Sequence, residues 1–260
     1  MSESLLVHPE ADEIGIAHSA GTRIAWRSYG NGPETILLLP TWNFVDSRLV
    51  RHQVDAFRSQ YRVLTYDARG SGASDHPHTG YSFAHHVADA LAVLDATKTS
   101  AASAVGASTG THIGVLLAVS HPERVKRLVL IAPPMDMGGA DSDEPLADPD
   151  GGTTDEPDWT SNYADFVPWF ISQAFPEPGA DTTIEEITKI GLEADHPMLL
   201  RQDEELDWDD APRRLGDLEV PTLVVHGIAD PLLGVDAVKA VAEVIPDAQL
   251  ELLDELGPSS

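Results

Sequence analysis

Cysteine is absent from the 260 residues of this chain. The sequence therefore excludes a disulfide framework, a thiolate nucleophile and a metal-thiolate site. Long apolar runs are absent too, because no stretch approaches the roughly 18 consecutive apolar residues that a membrane-spanning helix needs. Residues 1–16 contain neither the basic nor the apolar region of a secretory signal. We therefore expect a soluble, cytoplasmic protein.

Basic residues are scarce. Lysine and arginine total 16 against 43 aspartates and glutamates, which gives a formal net charge of −27. Such a charge repels nucleic acid and anionic membrane surfaces, so we expect neither as a partner. The acidic surplus runs along the whole chain and is typical of adaptation to a salt-rich, halophilic cytoplasm, where counterions screen self-repulsion. An ordinary acidic mesophilic enzyme is the alternative.

Short apolar runs followed by turn signals predict the strands of a sheet. Two alternating runs on either side of Ala20 and Gly21 predict a β-hairpin. The other runs are uniformly apolar, as is typical of strands buried on both faces of a parallel sheet. These runs are residues 35–39, 61–66, 101–105, 127–131, 222–226 and 249–253.

Helical patterns separate these strands. The clearest follows Ser82, a predicted N-cap, with apolar residues at Phe83, Val87, Leu91 and Leu94. Strands that alternate with helices indicate a doubly wound, mostly parallel α/β sheet.

The alternation stops between Pro133 and Pro221. Residues 141–158 contain eight acidic and no basic residues, which predicts a solvated loop. Their spacing does not match a calcium-binding loop, so we expect no metal there. We therefore predict a core domain of residues 1–133 and 221–260. The insertion, residues 134–220, should contain the acidic loop and a helical lid.

Aromatic residues are concentrated at one place in this insertion. They are Trp159, Tyr163, Phe166, Trp169, Phe170 and Phe175. One interpretation is that these rings form only the core of a small helical lid. In the functional interpretation, Trp159, Phe166, Trp169 and Phe170 also line an apolar substrate pocket.

A candidate nucleophile lies in the segment Gly106-Ala107-Ser108-Thr109-Gly110. This G-x-S-x-G pattern stands between a predicted strand, residues 101–105, and a predicted helix, residues 111–120. A sharp strand-to-helix turn holds its serine in a strained backbone conformation that only small neighbours permit. Such a turn presents the hydroxyl at the carboxyl ends of the strands, where open α/β sheets bind ligands.

Three further segments carry a resemblance. Residues 67–75 read Asp-Ala-Arg-Gly-Ser-Gly-Ala-Ser-Asp, residues 121–125 read His-Pro-Glu-Arg-Val, and residues 226–230 read His-Gly-Ile-Ala-Asp. Together with the strand-to-helix turn at Ser108, called here the elbow, these segments closely resemble lid-bearing serine hydrolases of the α/β-hydrolase superfamily over nearly the whole chain. The resemblance implies a doubly wound, mostly parallel sheet with an inserted helical lid.

The resemblance also implies roles for individual residues. Ser108 matches the nucleophile, and Asp230 matches the acid that orients the base, with Asp136 as the alternative acid. The oxyanion hole would take one backbone N–H from Thr109, which follows the nucleophile, and a second from Trp42.

The sequence departs from the family pattern at two places. Pro40-Thr41 replaces the usual His-Gly before Trp42, and proline has no amide hydrogen to donate. No histidine follows His226, although relatives carry the catalytic histidine in a turn after the last strand. Three explanations stay open: a truncated or shifted reading frame, a histidine from elsewhere, or a non-catalytic binding relative.

Other histidines are candidates for the missing base. His196 in the predicted lid could reach down, and His112 lies one helical turn past Ser108. His226 is expected to be a structural residue at a strand end, and His121 lies at the wrong end of the sheet. Surface positions are expected for His76, His78, His85 and His86.

We predict a serine hydrolase that cleaves an ester or related acyl bond of a small apolar substrate through an acyl-enzyme on Ser108. No cofactor and no metal are expected, and the partner is a small-molecule substrate. Perhydrolysis and aminopeptidase action share this scaffold. A ligand-binding relative that has lost turnover is the alternative. A homodimer through an uncovered sheet edge is compatible with the sequence.

Overall fold

The computed structural model describes residue 4, residues 6–135, residue 137 and residues 157–254. Its strands are β1 (Glu13–Ser19), β2 (Thr22–Tyr29), β3 (Thr35–Leu38), β4 (Arg62–Tyr66), β5 (Ala102–Ala107), β6 (Val125–Ile131), β7 (Thr222–Gly227) and β8 (Gln249–Leu253). Its helices are α1 (Arg51–Phe57), α2 (Phe83–Ala96), α3 (Gly110–Ser120), α4 (Tyr163–Ala174), α5 (Asp181–Gly191), α6 (His196–Glu205), α7 (Asp210–Arg213) and α8 (Val235–Val244).

The strands form one eight-stranded sheet in the order β1-β2-β4-β3-β5-β6-β7-β8. β1 and β2 make the predicted hairpin, β2 is antiparallel to β4, and every other pair is parallel. Successive strand residues point to opposite faces. Ile36 and Leu38 pack with Val54 of α1, whereas Leu37 packs on the other face in the cluster that α2 and α3 complete. The predicted doubly wound, mostly parallel sheet is confirmed.

The predicted buried runs are all strands, with ends that differ by at most two residues. α2 begins at Phe83, directly after the predicted N-cap Ser82. Its capping hydrogen bond is absent, because the Ser82 hydroxyl lies 2.8 Å from His85 Nδ1 instead. The surface position predicted for His86 is wrong. His86 is 1% exposed, because it lies on the same face of α2 as Phe83 and Val87.

Helices α4, α5 and α6, called here the inserted helices, lie between β6 and β7. They enclose an apolar cluster separate from the main core, formed by Phe44, Val45, Tyr81, Phe166, Val167, Ile171, Ile187, Ile190, Met198 and Leu199. Most of the predicted acidic loop, the alternative acid Asp136 and the residues after Asp254 lie outside the described residues. In the described ranges, no helix combines the length and apolarity needed to cross a bilayer.

A buried ion pair connects the loop after β4 to α2. Arg69 is 1% exposed and donates two hydrogen bonds to Asp89, from Nε at 2.7 Å and from an Nη atom at 2.5 Å. Arg69 also donates to the Gly80 carbonyl. Its own carbonyl accepts from Asn43 at 2.9 Å, so the ion pair also supports the loop after β3.

Replacement of Asp89 should be strongly destabilising. Asp89→Ala leaves the Arg69 guanidinium buried without its counter-charge, which should lower the free energy of unfolding by about 3–5 kcal/mol. The matched control is Asp95→Ala on the same helix, where the carboxylate is 69% exposed in its pair with Arg124. The control should cost about 1 kcal/mol or less. Urea unfolding measures both, and equal losses would contradict the prediction.

Candidate functional site

Ser108 occupies a sharp turn between β5 and α3. Its φ angle is +50°, a left-handed value that is uncommon for a residue with a side chain. Hydrogen bonds on both sides maintain it: the Ser108 N–H donates to the Ile131 carbonyl at 3.0 Å, and the Ser108 carbonyl accepts from Thr111 N–H at 2.9 Å. The Thr111 hydroxyl donates to the same carbonyl at 2.6 Å. The predicted elbow conformation is therefore present at Ser108.

Two glycines make this turn sterically feasible. A Cβ at Gly106 would lie 2.3 Å from the Gly110 carbonyl oxygen, and a Cβ at Gly110 would lie 2.5 Å from the Pro40 carbonyl oxygen. Both contacts involve backbone atoms, which cannot swing away as a flexible side chain can. The glycines of the G-x-S-x-G pattern thus allow α3 to pack closely against the sheet.

Ser108 borders a cavity of about 400 Å³ at the carboxyl ends of the strands. Asp230, which follows β7, lines the same cavity, as does Trp42 in the loop after β3. Most of the remaining wall is apolar and includes Leu39, Phe44, Leu49, Phe170, Ile187 and Leu232. The structure therefore brings the predicted nucleophile, the predicted acid and a predicted oxyanion residue to one apolar chamber.

The aromatic residues predicted for the pocket divide into two groups. Phe170 of α4 lines the cavity, whereas Trp159, Phe166 and Trp169 are not among its lining residues. Phe166 stacks on Phe170 with ring centroids 5.4 Å apart, and Trp169 lies 6.0 Å from Phe166. Trp159 and Phe166 contact the lining residues Trp42 and Phe170 from behind, whereas Trp169 contacts only Phe166 among the described rings.

Part of the wall comes from residues that sequence reasoning did not select. Leu49, His52 and Gln53, in and just before α1, line the cavity together with Ala174 of α4 and Ile187 of α5. Because α1 follows directly after the loop that contains Trp42, the sequence could have indicated that Leu49, His52 and Gln53 lie near the cavity. The contribution of α5 depends on how the inserted helices dock on the core, which the sequence pattern does not encode.

The two predicted oxyanion residues have available backbone N–H groups. The N–H groups of Trp42 and Thr109 donate to no acceptor in the described part of the chain. Thr109 stands at the N-terminus of α3, where the helix dipole favours negative charge. This arrangement is suited to stabilising an oxyanion next to Ser108.

Asp230 presents one satisfied and one unsatisfied carboxylate oxygen. Oδ1 accepts hydrogen bonds from Leu232 N–H at 2.7 Å and Leu233 N–H at 3.0 Å. Oδ2 is buried and has no hydrogen-bond partner among the described residues. Burial raises the pKa of Asp230 from its ordinary value, while the two N–H groups and His226 oppose that rise. An imidazole N–H that reached Oδ2 would satisfy this oxygen.

His226 lies beside this carboxylate at the end of β7. Its Nδ1 is 3.7 Å from Asp230 Oδ2, and its Nε2 is 2.9 Å from the Leu233 carbonyl oxygen. A carbonyl only accepts, so Nε2 carries a proton. Because Nε2 donates to the Leu233 carbonyl and the ring is fully buried, His226 supports the loop that contains Asp230.

The two histidines considered as substitute bases pack elsewhere. His112 stacks on Phe83 with centroids 5.1 Å apart, and burial lowers its pKa to about 4. His196 stacks on Tyr163 at 4.6 Å. Neither lines the cavity that Ser108 borders. In the described part of the chain, His52 is the single histidine that does.

One group of side chains has the geometry of a metal site. Ligand atoms of His8, Asp46 and Asp67 lie within 4.8 Å of one another. Arg27 pairs with Asp67 at 3.3 Å, and Arg48 pairs with Asp46 at 2.8 Å. These guanidinium groups already satisfy the carboxylates and would repel a cation, so we assign no metal to the group.

Comparisons with known proteins identify relatives. A family model for the alpha/beta hydrolase fold matches residues 34–167, just over half of the chain. The chain is 29% identical to a 2-hydroxymuconate semialdehyde hydrolase of Pseudomonas putida, over 78% of this chain and 73% of that protein. It is 30% identical to a non-heme chloroperoxidase of Streptomyces lividans, over 75% of this chain and 74% of that protein. A solved hydrolase from Pseudomonas aeruginosa superposes with a TM-score of 0.76 at 27% identity, covering 96% of this chain and 93% of that one.

Asp230 should reduce stability at neutral pH. A raised pKa in the folded state means that the contribution to stability is fully present below the ordinary value of 3.8 and is lost as the pH rises through the raised value. Asp230→Asn cannot ionise and keeps an oxygen for the N–H groups of Leu232 and Leu233. We therefore expect a higher Tm than the parent at about pH 7, and a smaller fall in Tm between about pH 4 and about pH 7.

Differential scanning fluorimetry across this pH range measures both quantities. The matched control is Asp236→Asn on α8, because that carboxylate is 96% exposed. A lower Tm for Asp230→Asn at neutral pH would contradict the prediction.

Proposed function

Because the chain belongs to the α/β-hydrolase fold family, we propose that it is a serine hydrolase that cleaves an ester or related acyl bond through an acyl-enzyme on Ser108. The observation that carries the proposal is the left-handed backbone at Ser108, which borders a mostly apolar cavity shared with Asp230. The cavity volume of about 400 Å³ is suited to a small, largely apolar molecule.

In the proposed reaction, Ser108 Oγ attacks the carbonyl carbon of the substrate and transfers its proton to a base. Backbone N–H groups of Trp42 and Thr109 stabilise the oxyanion that forms. The bond to the leaving group breaks as that group takes up the proton. Water then attacks the acyl-enzyme, releases a carboxylic acid and restores the Ser108 hydroxyl.

Asp230 is proposed to orient the base through Oδ2, its buried oxygen without a partner in the described part of the chain. The 260 residues contain no histidine after His226, and the Nε2–H of His226 is hydrogen-bonded to the Leu233 carbonyl. An imidazole with an N–H directed at Oδ2 would complete the arrangement in the cavity. No imidazole N–H donates to Oδ2 among the described residues, and this lack of a base favours the second candidate function, a binding protein that keeps the cavity without turnover.

The inserted helices are proposed to act as a lid within an insertion of residues 134–220, on a core of residues 1–133 and 221–260. This proposal rests on the cavity wall, to which α4 contributes Phe170, Ile171 and Ala174, and α5 contributes Thr183 and Ile187. Lining side chains from these helices would exclude water from the acyl-enzyme. We further propose a cytoplasmic location and a small-molecule substrate.

Covalent labelling tests the nucleophile. A fluorophosphonate should label the parent protein once, and Ser108→Ala should abolish the labelling because the hydroxyl that attacks phosphorus is lost. The matched control, Ser100→Ala, changes an exposed serine just before β5 and should label at the parent rate. Intact-protein mass spectrometry counts the adducts. Labelling that persists in Ser108→Ala, or a folded parent that stays unlabelled at high salt, would reject the enzyme hypothesis.

Added imidazole tests the base. If Asp230 Oδ2 is free to orient an imidazole, imidazole should raise the labelling rate of Ser108 until the effect saturates, by about tenfold or more. Asp230→Asn should reduce this acceleration, because an amide stabilises an imidazolium less well than a carboxylate does. A time course of mass spectra measures the rate. An equal acceleration in the parent and in Asp230→Asn would show that Asp230 does not orient the base.

A further inference from the structure

The ring of Trp42 lies at the centre of an aromatic group. Its centroid is 5.1 Å from Phe44, 5.5 Å from Trp159, 5.9 Å from Phe166 and 5.5 Å from Phe170. All four contacts are edge-to-face, with interplanar angles between 74° and 86°. Edge-to-face pairs are favourable and directional, so these neighbours restrict the orientation of the Trp42 indole.

The backbone around Trp42 is held from the core side. The Trp42 carbonyl accepts from Val45 N–H at 3.2 Å, which closes a tight turn. The Val45 carbonyl accepts from the Ser71 hydroxyl at 2.8 Å, and the Asn43 amide donates to the Arg69 carbonyl at 2.9 Å. The loop after β4 thus fixes this turn from Asn43 onward. The Trp42 N–H donates to no acceptor among the described residues, so the ring contacts are the remaining restraint on this peptide.

The inserted helices approach the same loop closely. A Cβ at Gly191, the last residue of α5, would lie 2.8 Å from Val167 and 2.9 Å from the Phe44 ring. Just beyond α5, Glu193 forms a 2.5 Å ion pair with Arg48, which follows the Trp42 turn. The aromatic group is therefore a fixed junction between the insertion and the loop that carries Trp42.

We propose that Trp159 and Phe166 are positioning residues that act through the Trp42 ring to hold the Trp42 N–H at the oxyanion position. This inference rests on the proposed function. Neither residue lines the cavity, so neither has a direct route to the substrate. The inserted helices would then do more than cover the cavity, because their docking would complete the oxyanion hole.

Trp169 provides a matched control. It is the same residue type as Trp159 and belongs to the same aromatic group. Trp169 contacts Phe166 at 6.0 Å but makes no ring contact with Trp42 among the described residues. A general loss of aromatic packing should affect Trp159→Leu and Trp169→Leu alike, whereas loss of positioning should affect only the first. Trp159→Phe, which keeps an aromatic ring, is the conservative variant.

The experiment measures the rate of Ser108 labelling by a fluorophosphonate and, separately, the affinity for benzyl alcohol as protection against labelling. We expect Trp159→Leu to slow labelling by about tenfold or more, because misplaced reacting groups cost rate steeply. The affinity of Trp159→Leu for benzyl alcohol should change by less than about twofold. In Trp169→Leu, the labelling rate and the benzyl alcohol affinity should each change by less than about twofold. Trp159→Phe should restore most of the rate. Phe166→Leu serves as the second positioning variant if Trp159→Leu does not fold.

Equal rates in the two leucine variants, or a parallel loss of rate and benzyl alcohol affinity in Trp159→Leu, would overturn the inference. A parent protein without labelling would instead reject the proposed function. In that case, crystal structures of the two leucine variants decide the positioning role. The Trp42 amide nitrogen should move relative to Ser108 Oγ in Trp159→Leu and keep its parent position in Trp169→Leu. An unmoved nitrogen in both variants would overturn the inference.

Discussion

The close approach of α3 to the sheet at Gly106 and Gly110 is the constraint on which the rest of the site depends. Backbone oxygens occupy the space where a Cβ of either residue would stand, so the chain passes from β5 into α3 without room for a wider turn. This crowding places Ser108 in a left-handed conformation. Such strain persists only where the surroundings determine it fully, and hydrogen bonds to Ile131 and from Thr111 do so here.

The Asp230 side of the site is held by a different kind of interaction. Asp230 is fixed by two backbone N–H groups on one oxygen and faces an unpaired imidazole nitrogen with the other. A buried carboxylate with an unpaired oxygen disfavours folding at neutral pH. An arrangement that costs stability is more common at functional sites than in a passive core. The conformation of Ser108 is thus fixed by steric crowding, and the position of Asp230 by two backbone hydrogen bonds.

Local patterns predicted much of this molecule. The strands could be recognised because uniformly apolar runs suit a sheet covered on both faces. The elbow could be recognised because only glycine fits where the backbone of α3 approaches the sheet. The cavity wall could not be predicted in full. Spacing identified the aromatic residues of α4, but only the docking of α4 on the core places Phe170 at the cavity and Phe166 behind it. His86 was predicted to lie at the surface, although its position three residues after Phe83 places it on the buried face of α2. The site assignments themselves remain predictions.

The charge of the chain is compatible with the direction of the proposed reaction. Among the described residues, the cavity wall contains no lysine or arginine, and the whole chain carries a formal net charge of −27. A neutral ester enters such a chamber without electrostatic repulsion, whereas its hydrolysis creates a carboxylate next to the Asp230 carboxyl. The negative potential would then favour departure of the acid product. Because a carboxylate ligand would meet the same repulsion, a binding protein with this chamber would also select neutral, apolar ligands. The presence or absence of a base at Asp230 Oδ2, rather than the choice of ligand, therefore separates the two functions.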